Sequence, residues 1–389
     1  MVEKLVLRLR ELYAIGCMLL SWLVAKLCRP QQAIWLFSER GTDARDNGFW
    51  LFRYVKENHP EINAKFIISY DSEDRAKLSE WEACIVKTDS LRHYILMWRA
   101  SYCLSTHNCG CFPYYIKKIP ILSRLVRRGN KGMRIVWLQH GVTKHDMPAF
   151  HYERLIVDKV ICGAYPEYEF VLKTFHIPKE VACYTGLARF DGLHDAKVNP
   201  RQILLMPTWR IWLHQDNFFE SDFWKTYSSL LMSPHLHRLL QESGHTLVFY
   251  PHYEMQPYLR AFEKLNLPSC IRLADKAKYD VQTLLKESAL LITDYSSVFF
   301  DFAYMYKPII FFQFDYDEFH QKHYQRGYFD FKHCFADWTD DITSLLLQVK
   351  ASMDRHYQLS EEQRTMIDVY FPLHDSHNCD RIYQEVIKG

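Results

Sequence analysis

The chain contains 389 residues with a formal net charge of +2, and 24% of its residues are charged. Hydrophobic residues make up 48% and aromatic residues 15%, which is enough to build large cores and excludes an intrinsically disordered protein. The nearly balanced charge gives no indication of a nucleic-acid partner, and the length predicts two or three domains.

The cysteines predict a reducing environment. The eleven cysteines are scattered along the chain, and only Cys109 and Cys111 are close in sequence. The count is odd and no second pair follows at a zinc-like spacing, so we expect neither a disulfide framework nor a structural metal site. This pattern is typical of a cytoplasmic protein.

Residues 1–30 form the first predicted element, an apolar and basic helix. Residues 12–25 are an uncharged run of fourteen residues with basic side chains before and after it. A membrane-spanning helix needs about 20 apolar residues, and no small-residue cleavage site follows this run. We therefore expect a helix that lies in a membrane interface or packs on the domain, and a spanning helix is the less favoured alternative.

Apolar strands alternate with helical segments over residues 31–190, which predicts a first α/β domain with a parallel sheet covered on both faces. The predicted strands are residues 33–37, 65–69, 102–105, 135–138 and 181–184, and the predicted helices are residues 47–58, 90–99 and 166–175.

A basic stretch at residues 114–134 also indicates a membrane surface. It contains seven cations, no acid and interleaved isoleucine, leucine and valine residues. An anionic leaflet attracts such a segment by about 1 kcal/mol per cation. A solvated loop with a basic face is the alternative. Together with the first helix, the stretch predicts peripheral, monotopic attachment to the cytoplasmic face of the cell membrane.

A polar join at residues 186–201 separates the first domain from a second predicted α/β domain at residues 200–389. Two doubly wound domains in series place the carboxyl ends of both sets of strands at one cleft, where ligands bind in such sheets. The predicted strands are residues 202–206, 246–250, 270–272, 290–293 and 308–312, and the predicted helices are residues 218–231, 257–265, 281–287 and 298–306.

Polar clusters follow five of the predicted strands. No G-x-G-x-x-G follows the first strand and no G-x-x-x-x-G-K-[ST] occurs, which disfavours a nicotinamide dehydrogenase and a P-loop NTPase. Arg189 lies near the join between the domains. The clusters occupy residues 38–48, 139–145, 207–210, 250–253 and 294–297.

The cluster at residues 294–297, Asp-Tyr-Ser-Ser, lies between a buried strand and a predicted helix. The hydroxyl groups of Ser296 and Ser297 and the free N–H groups at the helix start predict a site for a phosphate-bearing ligand. The alternative is that Asp294 or Ser296 only caps the helix.

Two histidines, His140 and His252, follow strands in different predicted domains and are expected to face each other across the cleft. A single histidine at a strand end is more often a hydrogen-bonded core residue. With the cations Arg189 and Arg210, however, the pair predicts transfer of a phosphorylated group. One histidine would act as a base toward an acceptor hydroxyl, and the other would stabilise phosphate charge.

The ordered set of motifs resembles the CDP-glycerol glycerophosphotransferase family, which builds teichoic acids and related phosphate-containing surface polymers. The resemblance covers about residues 31–375. The motifs are Ser-Glu-Arg-Gly and Asp-Asn-Gly within residues 38–48, Gln-His-Gly at 139–141, Thr-Gly-x-x-Arg-x-Asp at 185–191, Pro-Thr-Trp-Arg at 207–210, Pro-His at 251–252, Asp-Tyr-Ser-Ser-Val-x-Phe-Asp at 294–301 and Lys-Pro-Ile-Ile-Phe-Phe at 307–312.

The resemblance implies a GT-B-like fold of two Rossmann-like domains that face a cleft, with monotopic membrane association. The first domain would hold the acceptor and the second the donor. The implied reaction moves glycerol phosphate, or another polyol phosphate, from a CDP-activated donor to an acceptor hydroxyl of a wall or capsular polymer or its lipid-linked precursor, with release of CMP. CDP-glycerol and CDP-ribitol both remain open as donors.

The resemblance also implies roles for individual residues. His140 is the expected general base, and His252 is expected to contact donor phosphate. Asp301 would bind a donor hydroxyl, or else act only as a helix-dipole acid. The residues expected to line the rest of the donor site are Arg189, Thr208, Arg210, Ser296 and Ser297.

Two departures from the family pattern affect substrate identity. Many members read His-Gly-Thr-Pro-Leu-Lys, where this chain has Val142, Thr143 and Lys144 after His-Gly, and the residues before His252 also differ. A GT-B glycosyltransferase that uses a nucleotide sugar and a non-catalytic component of a surface-polymer assembly complex remain alternatives. No cofactor is firmly implied, although Mg²⁺ on the donor phosphates is compatible with the chemistry.

Overall fold

The computed structural model describes residues 2–27 and 32–388, with side chains from residue 11 onward. Its described residues form two parallel β sheets flanked by helices. The α/β fold predicted from the alternating pattern is therefore confirmed.

The first sheet has the strand order β3-β2-β1-β4-β5-β6-β7 within the described residues, and every neighbouring pair is parallel. Its middle strand is β4, with β1 and β5 on either side. The strands are β1 (Ile34–Ser38), β2 (Asn63–Ile68), β3 (Ile85–Lys87), β4 (Ala100–Ser105), β5 (Arg134–Trp137), β6 (Lys159–Cys162) and β7 (Ala182–Tyr184).

The second sheet has the order β10-β9-β8-β11-β12-β13 in the described part of the chain and is also parallel throughout. Its two central strands, β8 and β11, each contain a run of four buried apolar residues. The strands are β8 (Asn199–Met206), β9 (Thr246–Phe249), β10 (Ile271–Leu273), β11 (Ser288–Thr293), β12 (Ile309–Phe312) and β13 (Asp337–Thr339).

The α-helices cover the faces of these sheets. They are α1 (Val2–Leu27), α2 (Asn47–Asn58), α3 (Leu91–Arg99), α4 (Tyr114–Lys118), α5 (Pro120–Gly129), α6 (Tyr165–Lys173), α7 (Asp222–Leu231), α8 (Pro234–Ser243), α9 (Leu259–Glu263), α10 (Val281–Glu287), α11 (Val298–Tyr304), α12 (Tyr316–Lys322), α13 (Ile342–Asp354), α14 (Glu361–Tyr370) and α15 (Asn378–Ile387). Six 3₁₀ helices in the described residues are Glu73–Cys84, Pro148–Phe150, Tyr152–Arg154, Ala188–Leu193, Phe218–Glu220 and Tyr253–Tyr258.

The central strands form because their side chains are apolar on both faces. All five residues of β1 are buried, and Leu36 packs in a different cluster from Trp35 and Phe37, since successive side chains point to opposite faces. A parallel sheet with helices on both sides requires this double burial, and it places the polar residues after each strand at the sheet edge.

Three strands were not predicted from the sequence, namely β3, β6 and β13. Each has only three or four residues and includes a charged side chain. Such short runs do not differ from loop sequence until their neighbours pair with them. The basic stretch at 114–134 contains the helices α4 and α5 rather than a loop.

The last helix returns to the first sheet. Helix α15 packs on α2 and on the 3₁₀ helix Ala188–Leu193, and the Tyr383 ring stacks on His59 with a centroid separation of 3.9 Å. Residues 378–387 therefore lie beside the first sheet, although the sequence grouped them with the second. The domain limits at 190 and 200 stay predictions.

The first helix packs on the first sheet through its small side chains. Helix α1 contacts α3, and Ala14 and Cys17 are buried in the same cluster as β1 residues. No helix in the described residues is long and apolar enough to cross a membrane. The predicted contact with the domain is thus confirmed, while residue 1 and residues 28–31 lie outside the described part of the chain.

Candidate active site

A cleft of ≈ 240 Å³ lies between the two sheets, at the carboxyl ends of their strands. Both parts of the chain contribute to its walls. Six of the eight residues that the sequence singled out line it, and these are His140, Arg189, His252, Ser296, Ser297 and Asp301. The position agrees with the rule that doubly wound sheets bind ligands beyond their strand ends.

His140 follows β5 and presents its ring to the cleft. The ring is exposed to the cleft, and it stacks on His107 with a centroid distance of 5.2 Å. Although solvent reaches the ring, surrounding protein lowers the pKa of His140 below its usual value. The charges of Arg40 and Arg189 lower it further against the opposing charge of Asp46. A neutral imidazole at pH 7 follows, which is the form that accepts a proton.

His252 lies on the opposite wall, after β9. Its Nδ1 accepts a hydrogen bond of 3.3 Å from the Glu254 N–H, so the neutral ring carries its proton on Nε2. Burial lowers the pKa of His252 to about 4, and the charges of Arg40 and His140 act in the same direction. His252 therefore offers a neutral N–H donor that suits a phosphate oxygen.

Ser296 and Ser297 lie at the turn between β11 and α11. Ser297 starts the helix without a side-chain capping bond, and neither hydroxyl has a hydrogen-bond partner among the described residues. A Cβ atom on Gly141 would lie 2.7 Å from Ser297 Oγ. The His140 loop and the serine turn therefore meet closely, and a side chain at Gly141 would separate them.

The structure gives Asp294 a different task from helix capping. Its carboxylate accepts the backbone N–H groups of Thr208 and Tyr295, and it pairs with Arg210. Helix capping by Asp294 or Ser296 is thus not observed, and the serine hydroxyls remain available to a ligand.

Arg189 joins the two halves of the cleft. Its Nε and Nη2 donate to the two carboxylate oxygens of Asp301 at 2.6 and 2.8 Å. Its Nη1 donates to Asp46 at 2.7 Å and to the His140 carbonyl at 3.1 Å. Burial alone would lower the pKa of Arg189, but Asp301 and Asp46 outweigh it and raise the pKa. Asp301 thus pairs with Arg189, and its contact with a donor hydroxyl stays a prediction.

Arg210 does not line this cleft, and its use as a donor-site cation stays a prediction. Its side chain has 0% exposure and pairs with Asp294 at 2.9 Å and Asp315 at 2.6 Å. Thr208 is also buried and does not line the cleft, and its Oγ1 has no hydrogen-bond partner in the described part of the chain. Strand-end position alone did not reveal that these side chains turn inward.

Arg40 is a cleft residue to which the sequence analysis gave no role. Its side chain is 48% exposed, and its guanidinium carbon lies 5.7 Å from the Tyr253 ring centroid. It lines both the main cleft and an adjoining cavity of ≈ 510 Å³ that reaches His107. The polar cluster after β1 was the available signal, but the sequence could not distinguish Arg40 from the other charged residues there.

Asn47, at the start of α2, was also missed. Its side chain is fully buried, donates to the Gln139 carbonyl at 2.8 Å and accepts the Arg189 N–H at 3.1 Å. Asn47 therefore links the loop before His140 with the residue that joins the two cleft walls.

Candidate metal ligands near the cleft are engaged in ion pairs. No group of three or more His, Cys, Asp or Glu side chains among the described residues could hold an ion. The carboxylates nearest the serine turn, Asp294 and Asp301, already pair with arginines. A Mg²⁺ ion carried by donor phosphates stays a prediction.

The profile of the family described as CDP-Glycerol:Poly(glycerophosphate) glycerophosphotransferase matches residues 21–388. The chain belongs to this family. The resemblance inferred from the ordered motifs is therefore confirmed.

Two curated relatives of this family member come from Bacillus subtilis (strain 168). The minor teichoic acid biosynthesis protein GgaB is 29% identical over 377 residues, which are 92% of this chain and 40% of that protein. A teichoic acid poly(glycerol phosphate) polymerase is 27% identical over 365 residues, which are 87% of this chain and 46% of that protein. This glycerophosphotransferase family member thus spans less than half the length of either relative.

Solved structures support the fold. The wall teichoic acid polymerase TagF superimposes with a TM-score of 0.66 at 18% identity, covering 97% of each chain. A UDP-GlcNAc 2-epimerase from Methanocaldococcus jannaschii gives a TM-score of 0.56 at 11% identity, covering 92% of this chain and all of that one. The GT-B-like arrangement implied for this family member is confirmed.

Proposed function

We propose that the protein transfers glycerol phosphate from CDP-glycerol to an acceptor hydroxyl of a teichoic-acid-type surface polymer or its lipid-linked precursor, and releases CMP. Family membership supports the donor and the reaction class. The observation that carries the proposal is that His140 and the Ser296–Ser297 turn line the same cleft. Gly141, the residue after His140, lies directly against Ser297. A base and an anion site then lie on opposite sides of one reaction centre.

The proposed reaction is a displacement at the donor phosphorus that carries glycerol. The acceptor oxygen forms a new O–P bond while the bond between this phosphorus and the oxygen bridging to CMP breaks. CMP leaves with the electron pair, and the acceptor proton passes to the neutral ring of His140. Phosphoryl transfer depends mainly on positioning and on charge stabilisation, so the cleft needs little covalent chemistry of its own.

The charge on the donor would be held by groups from both walls. The hydroxyls of Ser296 and Ser297 and the Nε2–H of His252 are donors without a partner among the described residues. The exposed guanidinium of Arg40 adds a positive charge at the same cleft. Hydrogen bonds to charged oxygens contribute about 1.5–3 kcal/mol each, which suits tight binding of a pyrophosphate.

We also propose that the protein attaches to an anionic membrane surface from the cytoplasm. Helices α1 and α5 pack on the same face of the first sheet, within one core cluster. Basic side chains of α5 accompany the exposed apolar ones, which suits an interface with anionic lipid. The exposed apolar residues are Leu12, Tyr13, Ile15, Leu19, Leu20, Trp22, Leu23 and Leu27 of α1, and Ile119, Ile121 and Leu125 in and beside α5.

The proposed activity is tested by nucleotide release from radiolabelled CDP-glycerol and CDP-ribitol, with nucleotide sugars alongside and bacterial membranes as the source of acceptor. We expect CMP with the wild type and a loss of about 10²–10⁴-fold in turnover for His140→Ala, since a general base contributes that much. His235→Ala is the matched control, because His235 is exposed on α8 outside the cleft.

CMP from CDP-ribitol alone would keep the reaction and change the donor. Release of UDP, GDP or ADP from a nucleotide sugar would replace the proposed reaction with glycosyl transfer. No release from any donor by the wild type would contradict the proposed function.

A further inference from the structure

The backbone directly before His140 adopts an unusual conformation. Gln139 has a φ of 56°, in the left-handed region that non-glycine residues avoid. Such a conformation persists only where the surrounding contacts determine it, and it often lies at a functional site. The contacts that hold Gln139 therefore also hold the direction in which His140 leaves the chain.

A buried carboxylate supplies the central contacts. Glu167, in the first turn of α6, is fully buried and does not line the cleft. Its carboxylate accepts the backbone N–H of Thr143, and it accepts the N–H groups of Gly163 and Ala164 at 2.6 and 3.3 Å. It also accepts the Gln139 side-chain amide at 3.2 Å. Glu167 thus ties both ends of the turn around His140 to the start of α6.

The side chain of Gln139 completes the network. Its Nε2 donates to the Ile161 carbonyl of β6 at 2.7 Å, and its Oε1 accepts the Thr143 hydroxyl at 2.7 Å. All the polar atoms of this amide therefore have partners within the turn and the neighbouring strand. Two further residues outside this network also hold the turn. Asn47 donates to the Gln139 carbonyl, and Arg189 donates to the His140 carbonyl.

Burying the Glu167 carboxylate costs folding free energy, so stability alone does not explain its presence here. Desolvation raises the pKa of Glu167 to about 7, although the four hydrogen bonds oppose the shift. A neutral apolar contact would fill the same space without the cost of burying a carboxylate. Compared with an apolar side chain, the carboxylate adds directional hydrogen bonds to the turn.

We propose that Glu167 is a positioning residue for His140. Through Gln139 and Thr143 it fixes the strained turn, and the turn aims the His140 ring at the acceptor hydroxyl opposite the Ser296–Ser297 turn. This inference rests on the proposed function, in which His140 is the general base. Glu167 itself touches neither substrate.

The substitution Glu167→Gln tests the network most directly. Glu167→Gln replaces one acceptor oxygen by an NH₂ group, which opposes the N–H groups it must face. We expect kcat for CMP release to fall at least tenfold, with the KM for CDP-glycerol within about twofold. A structural role alone would lower thermal stability without this split between kcat and KM.

A milder matched pair covers the case in which Glu167→Gln fails to fold. Thr143→Val removes the hydroxyl that bonds to Gln139, while Thr143→Ser keeps it. We expect kcat to fall about threefold to tenfold in the valine variant and to stay near wild type in the serine variant. Equal kcat in both variants would overturn the proposal.

The control is Asp158→Asn in the same sheet. Asp158 accepts the Ile135 N–H at 2.7 Å at the opposite end of β5, away from the cleft. We expect this variant to lower the melting temperature and leave kcat unchanged. A loss of kcat equal to that of Glu167→Gln would reduce the effect to general destabilisation and contradict the proposal.

Hydrogen exchange separates this inference from the proposed function. In Glu167→Gln we expect faster amide exchange at residues 140–145 and unchanged exchange at residues 296–301, whether or not a donor is turned over. If the wild type releases no CMP, the proposed function fails while the exchange result still judges the network. Unchanged exchange at 140–145 would overturn the positioning role.

Discussion

Two buried arginines show how the same residue type serves different tasks on the two sides of the join. Arg189 pairs with Asp46 before α2 and with Asp301 on α11, so its ion pairs connect the two walls of the cleft. Arg210 pairs with two carboxylates that both belong to loops of the second sheet, and its side chain is wholly buried. Arg189 acts between the walls, whereas Arg210 holds one wall together.

The difference teaches that burial and pairing alone do not identify a site residue. Both arginines have a raised pKa because carboxylates outweigh the effect of burial. Only Arg189 also bonds to the carbonyl of a residue whose side chain faces the cleft, namely His140. We therefore expect substitutions of Arg189 to alter turnover and substitutions of Arg210 to alter stability.

The largest expected effect is the loss of stability in Arg210→Ala. Removing one partner of a buried ion pair leaves uncompensated charge, which costs about 3–5 kcal/mol in the free energy of unfolding. Denaturant titration measures this change. The control is Arg326→Ala, an exposed arginine 3.5 Å from Asp317, for which we expect a change within ~0.5 kcal/mol. Similar stability of both variants would contradict the structural role.

The next largest effect is the loss of turnover in Arg189→Lys. Lysine keeps the charge but lacks the planar guanidinium that binds both carboxylates. One side chain can then no longer bind Asp46, Asp301 and the His140 carbonyl together. A misplacement of about 1 Å can cost about 100-fold in rate, and we expect a fall of that order in kcat. Arg210→Lys is the comparison, and its folded fraction should keep most of its kcat. If Arg210→Lys lost kcat and Arg189→Lys kept it, Arg210 would be the residue that affects turnover.

A smaller effect is expected for the double substitution Ser296→Ala and Ser297→Ala. Loss of hydrogen bonds to charged phosphate should raise the KM for CDP-glycerol about tenfold or more, with kcat little changed. Ser221→Ala is the control, because Ser221 caps α7 and should cost ~1 kcal/mol in stability with no effect on KM. If the double variant behaves like Ser221→Ala, the serines serve only the helix.

The smallest effect concerns pH. The lowered pKa of His140 keeps its ring neutral as the pH falls below 6.5, so the acid limb of kcat/KM should have its midpoint below that value. Desolvation by the surrounding protein is the main cause of the lowered pKa, and the charge of Arg189 contributes. Arg189→Gln should therefore move the midpoint upward, while Arg210→Lys should leave it in place. An unchanged midpoint in Arg189→Gln would exclude this electrostatic coupling.

Much of the fold could be predicted because the central strands are buried on both faces. The runs that became β1, β8 and β11 each contain four consecutive buried apolar residues, which distinguishes them from loops. The short strands β3 and β13 could not be predicted, since they lie at sheet edges and owe their conformation to one neighbour each. The return of α15 to the first sheet depends on contacts that no local pattern encodes.

The candidate site was predictable to the extent that strand ends determine position. Sequence order alone was enough to group His140, His252 and the serine turn at one cleft. It could not give the direction of a side chain, so it did not show that Arg210 lies outside the cleft. Its partner Asp315 lies 105 residues further along the chain, and only the folded sheet brings them together.

The packing of α15 on α2 also determines how the molecule can move. The chain crosses from the first sheet to the second between β7 and β8, and it crosses back between α13 and α15. A body tied at one point can rotate about three axes, whereas a body tied at two points swings mainly about the line between them. We therefore expect any opening of the cleft to be a hinge motion about the line through the two crossings, and this motion would break the ion pair between Arg189 and Asp301.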